Sequence, residues 1–338
     1  MNRSSHIRTA RQLLPAASWL SAALAFLFLT LSCQKSPLDS PQDTPTDTQI
    51  PIEFGVADNW TKASLSDLAT LQNDGFQVWA WFDGINSGHM FGDTGTAVTY
   101  SDIDGVWTYT PTRYWLPGIF NFFAVHPKTT AVDPTGGDFK VSYNLGSQTD
   151  LLVANTPDID GAYPPIDNGV QLYFEHALCQ LEFQAQAKPL VTPDTENTYK
   201  SVLTGIEIIN VVKMATYSSK VGWIIDDNVD KTTYSITKES QNLKVDSPIV
   251  YETGIIMIPQ NVAGIEIKIT AHGSAPLYGT IPVPEGGKWQ GNKKYTYLIL
   301  VDQYANITFA APVVTDWIRT NGSSFVIDTN PTNSVNEQ

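Results

Sequence analysis

The sequence predicts an all-β protein of two β-sandwich domains with few short helices, and three observations carry that prediction. Apolar side chains recur at every second position in segment after segment, the period of strands with one buried face. Gly, Asp, Asn and Pro clusters separate these segments at short intervals, as turns do. Beyond the leader, helical spacing of apolar residues is found in one place, Leu65, Leu68 and Leu71.

Length and charge bound the rest. A chain of 338 residues is long enough for two domains that each bury a core. Acids outnumber bases 34 to 20, for a net charge of −14. Such a surface repels nucleic acid and anionic head groups, so no nucleic-acid partner is expected.

Residues 1–32 read as a lipoprotein signal peptide. Arg3, Arg8 and Arg11 form a positive start, and the apolar run Trp19 to Leu31 is short for a bilayer span. It ends Thr30-Leu31-Ser32-Cys33, a small residue before a cysteine, which makes Cys33 the expected lipid attachment and membrane anchor. Thr30 stands where such sites usually carry an aliphatic residue, and a plain secretory signal is the alternative. Cys33 and Cys179 are the only cysteines, so an exported chain has no internal disulfide framework. Cys179 shares its parity with Leu181 and Phe183 and reads as a small buried hydrophobe.

Residues 33–49, rich in Pro, Asp, Thr and Ser, cannot bury enough surface to order themselves and read as a disordered tether. A coil of this length reaches on the order of 20 Å. The N-terminal domain, 50–187, opens with Ile50, Ile52, Phe54 and Val56 alternating with Pro51, Glu53 and Gly55. Pro51 lacks a ladder donor and marks a sheet edge. Ser64 with Asp67 resembles a capping box ahead of the short helix, which Asp74-Gly75 ends. From Phe76 onward the pattern is strands and turns: FQVWAWF, Val106 to Tyr109, Ile119 to Val125 and Leu151 to Ala154. The stretch Val170 to Ala187 follows the turn Asp167-Asn168-Gly169 and reads as a core strand with a bend at His176-Ala177 that closes the first domain.

A polar, Pro-containing break follows from Lys188 to Asn197. The C-terminal domain, 198–318, repeats the pattern in Val202 to Val212, the apolar run Ile255 to Ile258, Ile265 to Ala271, Tyr295 to Val301 and Ile307 to Trp317. The tail, 319–338, keeps one short alternating piece, Phe325 and Ile327.

In order and spacing these pieces resemble the fimbrillin family, the Mfa-like fimbrial subunits and fimbrial lipoproteins. The resemblance rests on Cys33; on Ile52-Glu53-Phe54 followed by Thr61-Lys62-Ala63; and on Tyr114-Trp115-Leu116-Pro117 leading to Phe120 through Ala124 and Pro127. It continues through Asp150 to Ala154, His176-Ala177-Leu178, Ile258-Pro259-Gln260, Trp289 with Gly291, Tyr295-Thr296-Tyr297 and Val314 to Trp317. It implies two transthyretin-like β-sandwiches, export as a lipoprotein to the outer membrane and cell surface, and assembly with other fimbrial subunits by β-strand addition. It further implies a protease cut after a basic residue that follows the first strand. Lys62 is the matching position, where the family commonly has Arg. The cut would release the strand of Ile50, Ile52, Phe54 and Val56, with Phe325 and Ile327 as candidate donor strand. An adhesive member would bind host or bacterial surface ligands.

No catalytic constellation stands out. The five histidines have no metal-ligand spacing, and His176 at a strand bend reads as structural. Carboxylate pairs such as Asp226-Asp227 sit among turn residues, where Asp is already explained. No EF-hand-like series appears, and neither a metal nor a cofactor is expected. Trp79, Trp81, Trp107 and Trp115 lie in strands and read as core. The leading expectation is therefore a structural or adhesive fimbrial subunit. The alternative is a surface lipoprotein that binds glycans through sandwich loops, for which two or three coplanar exposed rings are required. An enzyme ranks last.

Overall fold

A computed structural model describes residues 49–56, 65–129, 131–189, 202–226, 228–271, 275–302 and 306–317. All of them belong to the compact unit Ser36–Gln338, which includes both sides of the 188–197 break. The architecture is all-β with one helix and several sheets.

The N-terminal half contributes β1 (Phe54–Val56), α1 (Leu65–Asp74), β2 (Phe76–Asp83), β3 (Gly88–His89), β4 (Thr96–Ser101), β5 (Val106–Thr108), β6 (Ile119–His126), β7 (Val132–Asp133), β8 (Lys140–Asn144), β9 (Leu152–Asp160), β10 (Val170–Leu172), β11 (Glu175–His176) and β12 (Cys179–Ala187). The helix ends as its sequence predicts. Gly75 takes a φ of 70°, which a glycine adopts without steric cost, and its N–H donates to the Leu71 carbonyl at 2.7 Å.

The largest sheet runs β11-β9-β6-β2-β4-β5, with β3 added to β2. Its central strands are apolar on both faces, as continuous runs such as FNFFAV require. Phe76, Val78, Ala80 and Phe82 of β2, with Phe120 and Phe122 of β6, face one core, which also holds Ile52 and Phe54. Trp79 of β2, with Phe123 and Val125 of β6, faces a second core that runs on to Trp317.

The C-terminal half adds β13 (Val202–Val212), β14 (Met214–Ser218), β15 (Gly222–Ile224), β16 (Lys231–Asn242), β17 (Ile249–Met257), β18 (Glu266–Ala271), β19 (Leu277–Thr280), β20 (Lys293–Val301), β21 (Ile307–Phe309) and β22 (Val313–Asp316). One sheet is β17-β12-β20-β21 with β22 also on β20, and another is β16-β13-β18-β19. Strand pairing joins the two sides of the 188–197 break in two sheets. β8 pairs with β14, and β12 lies antiparallel to β17 and parallel to β20.

The stretch Val170–Ala187 is not one bent strand: it contributes β10, β11 and β12 to three different sheets. The first change of sheet falls at Tyr173-Phe174, and the second where the alternation lapses, through the consecutively buried His176, Ala177, Leu178 and Cys179. A buried passage leaves backbone groups that need partners. Ala177 N–H donates to Leu151 O at 2.9 Å, Trp223 Nε1 donates to Ala177 O at 2.6 Å, and Asn292 N–H donates to Leu178 O at 2.9 Å. His176 completes the joint, with Nδ1 2.7 Å from an Asp150 carboxylate oxygen and its ring stacked at 4.0 Å on Trp317.

On the opposite face of β12, Glu182 accepts hydrogen bonds from Lys294 Nζ at 2.6 Å, Gln184 Nε2 at 2.8 Å and Thr253 Oγ1 at 3.0 Å. Burial pushes its carboxyl pKa up, but these donors outweigh burial and hold it below the ordinary value.

Candidate functional site

The residues that the sequence marks as a releasable first strand, Ile50 to Val56, fill a seat built from four parts of the N-terminal half. On one side β1 runs parallel to β10, with Phe54 opposite Val170, Gly55 opposite Gln171 and Val56 opposite Leu172. Val170 N–H donates to Glu53 O at 2.7 Å. On the other side Ile52 N–H donates to Arg113 O at 2.8 Å, and Trp115 N–H donates to Ile50 O at 3.0 Å.

These last two bonds bracket Pro51, which stands opposite Tyr114 in an antiparallel bridge. Pro51 therefore occupies the non-hydrogen-bonded position of the pair, where an N–H would have no ladder partner. The proline costs the bridge nothing. Tyr109 closes the seat from below: its hydroxyl donates to Ile52 O at 2.7 Å and accepts from Arg113 N–H at 3.2 Å. Burial pushes the Tyr109 phenol up to about 12, so it stays protonated and a donor at any ordinary pH.

The four stripe residues are not equally held. Ile52 and Phe54 are buried at 1% and 6% exposure, whereas Ile50 is 38% exposed and Val56 half-buried. Phe54 is the anchor. Its ring meets Phe76 and Phe122 edge-on at 6.4 and 5.9 Å, and Phe91 and Tyr109 at 5.8 and 5.5 Å. Aromatic pairs at these distances and tilts are worth ~0.5–1.5 kcal/mol beyond their area burial.

Two glycines let the strand and its neighbour approach. A Cβ on Gly55 would lie 2.7 Å from Asn168 O and closer still to the Gln171 amide. Gly169 has a φ of 62°, and a Cβ there would lie 2.5 Å from Glu53 O. The turn Asp167-Asn168-Gly169 thus lies against the first strand, a role the sequence does not reveal.

Cys33, Lys62, Phe325 and Ile327 lie outside the described residues. The structure therefore brings together the first strand and its seat, and leaves the cut and the donor to experiment. Tyr109, Arg113 and the turn before β10 belong to the seat; the sequence marked the turn and the strand that Tyr109 ends, but nothing in it placed them against the first strand. Tyr109 follows Trp107 in an alternating run, which gave no sign that its hydroxyl turns inward to a backbone carbonyl.

Elsewhere the titratable residues serve packing. His126 Nδ1 lies 2.8 Å from Gly75 O. Cys179 is fully buried, its thiol 3.3 Å from Met257 O, and burial pushes its pKa far up. Among the described residues no group of three or more His, Cys, Asp or Glu side chains is arranged to hold a metal ion. Trp79 and Trp115 are buried, and Trp81 and Trp107 pack partly buried against the cores. The exposed large aromatics among the described residues are Tyr163, Tyr173 and Tyr278, on three separate segments.

A family model described as fimbrillin-like matches residues 61–317. Among solved structures, a fimbrial protein from Bacteroides vulgatus is similar with a TM-score of 0.56 and 16% identity, over 79% of this chain and 99% of that one. An inferred cell adhesion protein from Bacteroides ovatus is similar with a TM-score of 0.50 and 14% identity, over 82% of this chain and 100% of that one. The tip fimbrial protein Mfa3 from Porphyromonas gingivalis, truncated at its C-terminus, aligns at a TM-score of 0.42 and 13% identity, over 72% of this chain and 93% of that one. No curated protein matches the chain.

Proposed function

The chain belongs to the fimbrillin-like family of fimbrial and adhesion proteins, and from that premise we propose that it is a surface fimbria subunit, exported as a lipoprotein on Cys33 and assembled by strand exchange. In this reading a cut after Lys62 frees the first strand. A donor strand from a neighbouring subunit then enters the seat, and Phe325 and Ile327 of the tail are the candidate donor side chains. The donor restores the backbone hydrogen bonds and fills the aromatic pocket, the β-augmentation mode of recognition.

The observation that supports this is how residues 50–56 are held. They are bonded to the body through a parallel strand of three residues and one isolated bridge, yet they bury Ile52 and Phe54 in an aromatic core. Few ladder bonds oppose departure, and a large apolar seat rewards a replacement. The seat accepts side chains at alternate positions, and Phe325 and Ile327 have that spacing.

The test is assembly of protein cut after Lys62. Wild-type protein should form fibres, while Phe325→Asp with Ile327→Asp should remain as folded, cleaved monomers. Fibres formed as readily by the doubly substituted protein would overturn the assignment of the donor. Retention of residues 50–56 by the fibres would overturn strand exchange itself. The lipid anchor is tested separately: Cys33→Ser should abolish incorporation of labelled fatty acid, and unchanged incorporation would overturn that assignment.

A further inference from the structure

At one end of the largest sheet β2 stops, β6 starts and β9 stops at the same level, with Asp83 opposite Ile119 and Ile119 opposite Asp160. Three connections leave from that level, residues 84–87, 114–118 and 161–166. Two of them touch, Gly161 N–H donating to Gly118 O at 2.8 Å, and a Cβ on Gly118 would lie 2.8 Å from the O of Asp83, the last residue of β2 before 84–87.

The parts of these connections at the pole, 84–87, 114–118 and 161–166, carry no charged side chain in a protein of net charge −14, although Arg113 and Asp167 border them in the same connections. The nearest carboxylates, Asp83, Asp160 and Asp167, stand at the loop bases. The loops instead present Ile85, Tyr163 and Ile166 at 99%, 85% and 67% exposure, beside a partly exposed Ile119 and the Pro164-Pro165 pair. Apolar tips gathered on one end of an acidic protein mark a contact surface.

The chain also enters at this end. Trp115 N–H bonds Ile50 O, so the first described residues, Gln49 and Ile50, lie beside the 114–118 loop. Read as the tether that their composition predicts, residues 33–49 reach on the order of 20 Å.

From this placement we propose that, in the chain before any cut after Lys62, the apolar pole is a membrane-contacting surface, resting on the lipid bilayer to which the N-terminus is tethered. The inference rests on the lipid-anchor reading above. A short tether at the pole holds that end within reach of the bilayer, so a weak contact suffices once the effective concentration is high. Ile, Tyr and Pro suit the interfacial region of a bilayer, where apolar and aromatic side chains meet head groups. The acidic remainder of the surface is repelled by anionic lipid and turns the uncharged pole inward.

The test bypasses Cys33, so its outcome is separate from the fatty-acid labelling that tests the anchor. A chain beginning at residue 34 with an N-terminal polyhistidine tag is bound to phosphatidylcholine vesicles that contain a nickel-chelating lipid. Buried Cys179 stays unreactive, so an environment-sensitive dye can be placed on Ile85→Cys, Tyr163→Cys or, as a control on β19, Tyr278→Cys. Dyes at 85 and 163 should shift to the blue and be quenched by a nitroxide-bearing lipid, while the dye at 278 should remain aqueous. Adding Ile85→Asp to the 163-labelled chain should weaken that contact roughly tenfold, the equivalent of one aliphatic side chain. Equal quenching at 278, or none at 85 and 163, overturns the proposal. So does a blue shift at 85 and 163 that grows with protein concentration in the absence of vesicles, which would assign the pole to a second copy of the chain.

Discussion

Truncating Phe54 to alanine separates a strand that is anchored from one that is merely apposed. Phe54 is 6% exposed and meets four aromatic rings at 5.5 to 6.4 Å. Removing a ring from such a core typically costs ~3–5 kcal/mol. Ile52, at 1% exposure, should cost ~2–5 kcal/mol on truncation to alanine. Ile50, at 38% exposure and on the same stripe, should cost about 0.5 kcal/mol or less. Against a domain stability of ~5–15 kcal/mol, the Phe54 change alone removes a large share. Equilibrium urea unfolding of the mature chain, followed by tryptophan fluorescence, measures all three, because Trp107 and Trp115 report from the same core. The expected order of loss is Phe54→Ala at or above Ile52→Ala, with Ile50→Ala close to wild type. Were Phe54→Ala no more damaging than Ile50→Ala, the aromatic seat would not be what holds the strand, and the case for a replaceable strand would fail with it.

Three other expectations follow from the packing. Because Glu182 is held below its ordinary pKa, the stability it contributes is present above its unfolded value and lost as the pH falls through the depressed folded value. Glu182→Gln should therefore lower stability at neutral pH and flatten its decline into acid, as thermal unfolding across a pH series would show. Lys294→Met should cost more at neutral pH than Glu182→Gln, because it leaves the partly buried carboxylate without its cation. Limited proteolysis should nick the polar, Pro-containing 188–197 break, and the two pieces should elute together until denaturant is added, since β8–β14, β12–β17 and β12–β20 pairings span the nick. Pieces that separate in native buffer would refute this.

Much of the architecture was legible because it depends on local pattern. Alternation marked most of the strands, Leu65, Leu68 and Leu71 marked the helix, and Asp74-Gly75 marked its end. Partner choice was not legible, because alternation says which face a side chain takes and nothing of which sheet its strand joins. Val170 to Ala187 shows the difference: the parity of each piece was readable, but not that β10, β11 and β12 serve three sheets. The first strand shows a second limit. Four apolar positions looked equivalent in sequence, yet only Ile52 and Phe54 are buried within the core; Val56, where β1 ends, packs half-buried against it, and Ile50, where the chain enters, is exposed. The seat is built from residues distant in sequence, Tyr109, Arg113 and Gly169, whose contributions are a hydroxyl, a carbonyl and a backbone angle.

The pairing of β12 with β20 has a mechanical side. The two strands run parallel in unbroken register from Gln180 opposite Lys294 to Ala187 opposite Val301. Tension that draws the two strands along their length in opposite directions cannot open this pair one bond at a time, as peeling a hairpin does. It must shear the whole ladder at once, together with the buried rings of Phe183 and Tyr297 that stack across it at 5.6 Å. In the uncut chain the short β1–β10 contact, three residues long, would give way under pull well before the eight-residue β12–β20 ladder.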